Sequence, residues 1–274
     1  MGTRFELVIA AGSNASRSPR DLRAAGEAAI EEIEEWHRRL TRFAPDSLVS
    51  HINRTAAKEA VRLDEDTWGL VLDALQVWRD SRGAFDITVA PLMPQRGFAD
   101  SAVPASGASV GSGGLVLDPA ARTIRFGAGR VSVDLGGIAK GHAIDCAAAV
   151  LRRHGVGHAF LHGGTSSGCA IGRAPDGRPW RVALDPAGTN VLDLADEAYA
   201  LSDPGSQTTP AGAAHIVDPR SCMGVADRLN NPAGRSVVSG PSARVADAWS
   251  TALTVLGVVP PAFPQTYTAR WISP

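Results

Sequence analysis

Val133-Asp134-Leu135-Gly136-Gly137-Ile138-Ala139-Lys140-Gly141-His142-Ala143-Ile144-Asp145 is the stretch from which the rest of the sequence can be read. Val131 to Leu135 is apolar apart from one carboxylate and one hydroxyl, which predicts a strand. Paired glycines interrupt it, and about Ala139 to His154 reads as a helix closed by Gly155. A strand that runs through glycines into a helix leaves free backbone N–H groups at the helix start, and these suit a phosphate. Lys140 adds a positive charge there. Lysine is scarce in this chain: Lys58 and Lys140 are two of 27 basic residues, the others being arginine. The segment is not a Walker loop, because Gly-x-x-x-x-Gly-Lys-Ser/Thr is absent. The same residues also describe an ordinary strand-to-helix turn in which glycine supplies backbone freedom.

Outward from this point, the flanking segments mix strands and helices. Toward the N-terminus, residues 4–10 read as a strand, Pro19 to Phe43 carries a helical stripe through Leu22, Ile30, Ile33, Trp36, Leu40 and Phe43, and Asp64 to Ser81 predicts a second helix. Short runs at Gly114–Leu117 and Thr123–Phe126, joined by Asp118-Pro119, predict a hairpin. Toward the C-terminus, His158–His162, Arg181–Leu184, Ala198–Leu201 and Thr266–Ile272 read as strands. Pro241-Ser242 opens a last helix, about Ala243 to Leu256. Without regular βαβ alternation, the expected class is α+β, with mixed or antiparallel sheets flanked by helices.

On that last helix, Asp247 and Thr251 lie four residues apart and share a face. A carboxylate and a hydroxyl projecting together suit a hard cation such as Mg²⁺; an exposed Asp near a helix start, with a Thr capping a local turn, is the structural alternative. His215 in His215-Ile216-Val217-Asp218-Pro219 follows a polar loop and suits a base or a substrate contact, since imidazole titrates near neutrality; it also fits a strand residue before an Asp-Pro turn. Ser47 to Asn53 and Gly83 to Leu92 look punctuated rather than packed. His154, His158 and His162 are spaced by four, but Gly155 and Gly157 break the helix that a metal stripe would need. Cys169 is expected in a Gly/Ser-rich turn, and Cys146 on the inward side of a helix.

The whole composition bounds the function. The chain has 274 residues, 44% hydrophobic and 20% charged, with a formal net charge of −1. That supports a globular core and offers no basic excess for nucleic acid. No apolar run is long enough to span a membrane. Three scattered cysteines give neither a disulfide framework nor a Cys-x-x-Cys zinc site. The N-terminus lacks the pattern of a secretory signal, so a cytoplasmic setting is the default expectation.

Taken in order, the segments resemble the ApbE-like flavin transferases (FAD:protein FMN transferases). The matching pieces are Met1-Gly2-Thr3, Pro45-Asp46-Ser47 through Asn53, Gly83-Ala84-Phe85-Asp86-Ile87-Thr88 with Pro91-Leu92, Asp134 through Asp145, Pro179-Trp180…Asp185-Pro186, His215 to Pro219, and Ala246-Asp247…Thr251. The resemblance implies one domain over residues 1–274, with two lobes and FAD in the cleft between them. It implies transfer of the FMN part of FAD to a threonine hydroxyl on an acceptor protein, with release of AMP. Mg²⁺ would be held by Asp247, Thr251 and the carbonyl of Ala139. FAD would meet Met1, Asn53, Asp86, Gly136, Gly137, Lys140, Gly164, Thr165, Ser202 and His215, with His215 and Asp247 catalytic. The chain departs from the family pattern at Arg96, at Thr165 after Gly163-Gly164, across Ser202-Asp203-Pro204-Gly205 and at Ser221-Cys222. Those departures keep two alternatives in view: a protein that binds FAD or a nucleotide without turnover, and a metal-dependent FAD pyrophosphatase.

Overall fold

The computed structural model describes residues 4–11, 18–95, 97, 110–127, 131–206, 215–225 and 234–272. The chain order is β1 (Phe5–Ile9), α1 (Pro19–Leu40), α2 (Leu48–Thr55), β2 (Val61–Arg62), α3 (Glu65–Asp80) and α4 (Leu92–Gln95), then a 3₁₀ turn at Ser112–Gly114. It continues with β3 (Leu115–Asp118), β4 (Thr123–Phe126), α5 (Ala139–Arg153), β5 (Ala159–Gly163), β6 (Ser167–Ile171), β7 (Trp180–Ala183), β8 (Val191–Leu194) and β9 (Ala198–Ser202). The last elements are β10 (Val217–Asp218), β11 (Met223–Gly224), β12 (Arg235–Gly240), α6 (Ala243–Leu256) and β13 (Thr268–Ile272). As expected, the class is α+β.

Six strands form one antiparallel sheet in the order β1-β5-β6-β9-β12-β13, and β2-β4-β3 form a second. One face of the large sheet is covered by α5 and α6: Ala159, Leu161, Cys169, Ala200 and Val238 point into the core shared with those helices. The other face is covered by the β7–β8 hairpin, where Phe160, Tyr199, Leu201 and Val237 pack with Trp180, Val182, Leu192 and Leu194. Strands β6 and β9 are therefore buried on both sides. Gly168 is needed in β6, because a Cβ there would lie 2.5 Å from the Tyr199 ring of the neighbouring strand.

The helices begin where their caps place them. Ser18 and Asp21 form a reciprocal capping box at α1, Asp64 accepts from the Thr67 N–H at α3, and Ser242 accepts from the Val245 N–H at α6. Gly257 ends α6 in the left-handed conformation. Three sequence expectations are corrected. Ser47 to Asn53 is packed rather than punctuated: Ser47 caps α2, and Val49 and Ile52 bury one helical face. Cys169 lies in β6 rather than in a turn, and burial pushes its thiol up to about 12. Val131 to Leu135 does not enter a sheet. The Asn53 side chain takes the place of a neighbouring strand, accepting from the Val133 N–H (2.7 Å) and donating to the Val133 carbonyl (3.0 Å). Asp134 donates its N–H to Ile87 (2.7 Å).

Candidate active site

The segment after Val133 turns on its own carboxylate. Asp134 accepts from the Gly136 N–H (2.7 Å) and is held on its other oxygen by Arg42 Nε (2.8 Å). The Arg42 guanidinium lies over the Phe43 ring (4.4 Å), and Phe43 is 68% exposed. An aromatic face thus stands open beside the glycine turn, whereas the sequence pattern placed Phe43 on the apolar stripe of the first helix, which ends at Leu40. Gly137 packs under Phe85: a Cβ on Gly137 would lie 3.1 Å from the Phe85 ring and 3.6 Å from Thr251 Oγ1. Any side chain there would fill the gap between the turn and α6.

Helix α5 starts at Ala139 with no side-chain cap from Ile138. Its orphan N–H at Gly141 is met instead by Asp247 from α6 (3.1 Å), and Lys140 Nζ lies 3.3 and 3.5 Å from the two Asp247 oxygens. The service is returned. Asp145 of α5 accepts from Ser242 Oγ (2.6 Å), the Ala243 N–H (2.8 Å) and the Arg244 N–H (3.0 Å), capping α6. The two helices touch at Gly141, where a Cβ would lie 2.1 Å from the Ala243 carbonyl oxygen. Only glycine permits that approach.

Asp247 is 2% exposed, so the surface-Asp alternative is overturned. Burial pushes its carboxyl above the ordinary carboxylate range, and the Lys140 ammonium and the Gly141 N–H oppose that rise. Asp145 is likewise raised by burial and opposed by its hydrogen bonds to Ser242, Arg244 and Ala243. Thr251 donates to the Asp247 carbonyl (3.2 Å) and meets Ser202 Oγ at 3.3 Å. Ser202 Oγ also meets Ser250 Oγ (2.8 Å), while Ser236 Oγ bonds the Ser250 carbonyl and Thr254 Oγ1, each at 2.6 Å. This hydroxyl ladder fixes α6 against the ends of β9 and β12.

Gly137, Ala139, Lys140, Ser202, Asp247 and Thr251 are therefore gathered at one end of the large sheet. Gly164 and Thr165 form the β5–β6 turn at that end: Leu201 donates to the Ser166 carbonyl (2.7 Å), Gly164 has φ of 58°, and Thr165 is exposed. His215 precedes Ile216, which packs with Ala84 and with Val255, one turn beyond Thr251. Asn53 commits both ends of its amide to Val133. Asp86 is buried, accepting from Thr88 N–H (2.7 Å), Thr88 Oγ1 (2.6 Å), Ser112 Oγ (2.7 Å) and Ser112 N–H (2.9 Å). Beside it a cavity of about 450 Å³ is lined by Trp78, Arg79, Arg82 and Arg220. Met1 and Arg96 lie outside the described residues. Among the described residues, no three His, Cys, Asp or Glu side chains form a metal cage, and His154, His158 and His162 fall on a helix end, a turn and a strand.

Comparison with known proteins identifies the family and the fold. The model of the ApbE family matches residues 1–262. A FAD:protein FMN transferase of Vibrio cholerae is 27% identical over 245 residues, covering 82% of this chain and 71% of that protein. One of Salmonella typhimurium is 26% identical over 250 residues, covering 82% and 69%. Among solved structures, the ApbE protein of Thermotoga maritima superposes with a TM-score of 0.76 at 24% identity, covering 93% of this chain and 87% of that one. The H257G mutant of the Vibrio cholerae flavin transferase ApbE gives 0.74 at 24% identity, covering 94% and 84%. At that identity the structures speak to the fold alone.

Proposed function

Since this chain belongs to the ApbE family, we propose that it is a flavin transferase that cleaves FAD at its pyrophosphate and passes the FMN half to a threonine hydroxyl of an acceptor protein. The observation that carries the reading is the meeting of the Gly136–Gly137 turn, Lys140, Asp247 and Thr251 at one sheet end. The turn and the Lys140 ammonium suit the linked phosphates, and the open Phe43 ring offers a stacking face for a flavin.

The donor set fits a small, hard cation. Mg²⁺ takes one or two carboxylates and completes its shell with water and substrate phosphates, so a single buried carboxylate beside a hydroxyl is enough, and Gly137 keeps a side chain out from between the turn and Thr251. Asp247, Thr251 and the Ala139 carbonyl would hold it, and when bound it would offset negative charge on the pyrophosphate. The chain's own residues do the rest. Lys140 neutralises a phosphate oxygen. His215 accepts the proton from the threonine hydroxyl as that oxygen bonds to the FMN phosphorus. The bond from that phosphorus to the bridging oxygen breaks, and AMP leaves with that oxygen.

One observation favours a second reading, in which the protein holds FAD without turning it over. Lys140 already pairs with Asp247, supplying one of the positive charges the site needs. Incubation with FAD, MgCl₂ and a threonine-bearing acceptor decides between them. The transferase releases AMP and raises the acceptor mass by one FMN; AMP without that gain identifies a pyrophosphatase; FAD bound and intact identifies a holder.

A further inference from the structure

Away from the α5–α6 seam, a groove of about 620 Å³ runs between β1 and α1. Its floor is apolar, made by Leu7, Ile9, Leu22 and Ile30 with Gly26 between them. Gly26 brings the helix close to the strand: a Cβ there would lie 3.3 Å from Ile9 Cδ1 and 3.6 Å from Leu7 Cδ2. β1 is the edge of the six-stranded sheet, paired only with β5 among the described residues.

The register shows which backbone groups of that edge are open. Ala10 donates to the His158 carbonyl, and the Arg4 carbonyl accepts from Gly164. With Phe5 opposite Gly163 and Ile9 opposite Ala159, the even-numbered residues are the ones bonded to β5. The N–H and C=O groups of Phe5, Leu7 and Ile9 therefore point outward, along the same side of the strand that borders the groove. An open strand edge beside an apolar groove and a helix is the geometry by which a sheet accepts an added strand.

The rim tells what kind of strand. Glu27, Glu31 and Glu34 are exposed on the groove side of α1, at helical spacing, and among the described residues Arg23 is the only base lining it. Among the described residues none of the three glutamates forms an ion pair. Like charges at this spacing weaken a helix, and a cationic ligand would relieve them. An anionic lipid surface or a nucleic acid would be repelled. A second copy paired edge to edge would set one acidic rim against another.

We propose that the groove between β1 and α1 docks an extended, cationic segment of a partner protein, which adds a strand to β1. Every second side chain of that strand faces α1; on that face apolar residues enter the floor and lysines or arginines between them meet Glu27, Glu31 and Glu34. The proposal does not depend on the flavin chemistry, and its test reads binding alone.

The probe is a fluorescein-labelled peptide, Lys-Thr-Val-Thr-Lys-Thr-Val-Thr-Lys, whose valines and lysines share one strand face, titrated with the full chain by fluorescence anisotropy. Saturable binding that weakens as salt is raised is expected. The double substitution Glu27→Lys with Glu31→Lys should weaken it by about tenfold or more, whereas Glu59→Lys, on another exposed surface, should leave it unchanged. A peptide N-methylated at alternate amides keeps every side chain and should lose binding. The amides of Phe5, Leu7 and Ile9 should gain protection from hydrogen exchange when the probe is bound. Absence of saturable binding, equal binding by the N-methylated peptide, or equal weakening by Glu59→Lys would each overturn the proposal. So would sedimentation showing that the protein self-associates and that the probe dissociates the pair, because the groove would then belong to a second copy.

Discussion

Asp145 and Asp247 meet the α5–α6 seam from opposite sides, and each caps the other's helix. They differ in how completely they are satisfied. Asp145 accepts three hydrogen bonds of 2.6–3.0 Å from the first residues of α6 and their cap. Asp247 accepts one backbone N–H at 3.1 Å and a lysine at 3.3 and 3.5 Å. The first has little left to offer a ligand. The second meets its donors at longer range and keeps acceptor capacity. A buried carboxylate that is well satisfied holds structure, and one that is loosely satisfied is available for chemistry.

The sharpest way to break this contrast is to neutralise each in turn. Asp247→Asn should lower AMP release from FAD by at least about a hundredfold, since it removes the ligand-facing charge. Yet it should make the unliganded protein more stable at neutral pH. The Asp247 carboxyl is raised by burial, so its favourable contribution is complete below the ordinary carboxylate range and is lost as pH rises through its folded value. Thermal unfolding at pH 7 and again near pH 4 checks this: the gain should shrink at the lower pH. A variant less stable at both would place Asp247 with Asp145.

Gly141→Ala should be the most destabilising single methyl in the seam. Its Cβ would meet the Ala243 carbonyl, so the helices must part, at about 3 kcal/mol or more; urea unfolding measures it. Asp145→Ala should cost about 2–3 kcal/mol, through loss of a cap and the exposure of buried donors at α6. Its residual FAD binding, compared with that of Asp247→Asn, separates support from contact.

A smaller effect concerns His142, on the first turns of α5. Burial, with Arg244 and Arg39 adding, pushes its imidazole down to about 3. A depressed histidine carries stability above its unfolded value near 6.5 that drains away as pH falls toward 3. His142→Gln should therefore flatten the loss of stability across that window by up to about 1.4 kcal/mol per pH unit, read from urea midpoints at successive pH values.

Much of the helical scaffold was legible because its signals are local. Ser18, Asp64 and Ser242 cap helices whose apolar stripes have the right period, and α6 runs over the expected Ala243–Leu256. β6 and β12 escaped notice for the opposite reason. Both are covered on two faces, so neither alternates, and in β6 the Tyr199 ring leaves no room for a side chain at Gly168. Val131–Leu135 misled because its pairing partner is a side chain, Asn53, some 80 residues earlier. Lys140, Asp247 and Thr251 stood out by type and spacing. The cap made by Asp145 and the close approach at Gly141 depend on two helices about a hundred residues apart, and no local pattern encodes them.

The contact at Gly141 works as a fulcrum. A small tilt of α6 about that point would shorten one carboxylate's reach and lengthen the other's. Because each helix start is held by a carboxylate of the other, a displacement at Asp247 is opposed at Asp145 across the same contact.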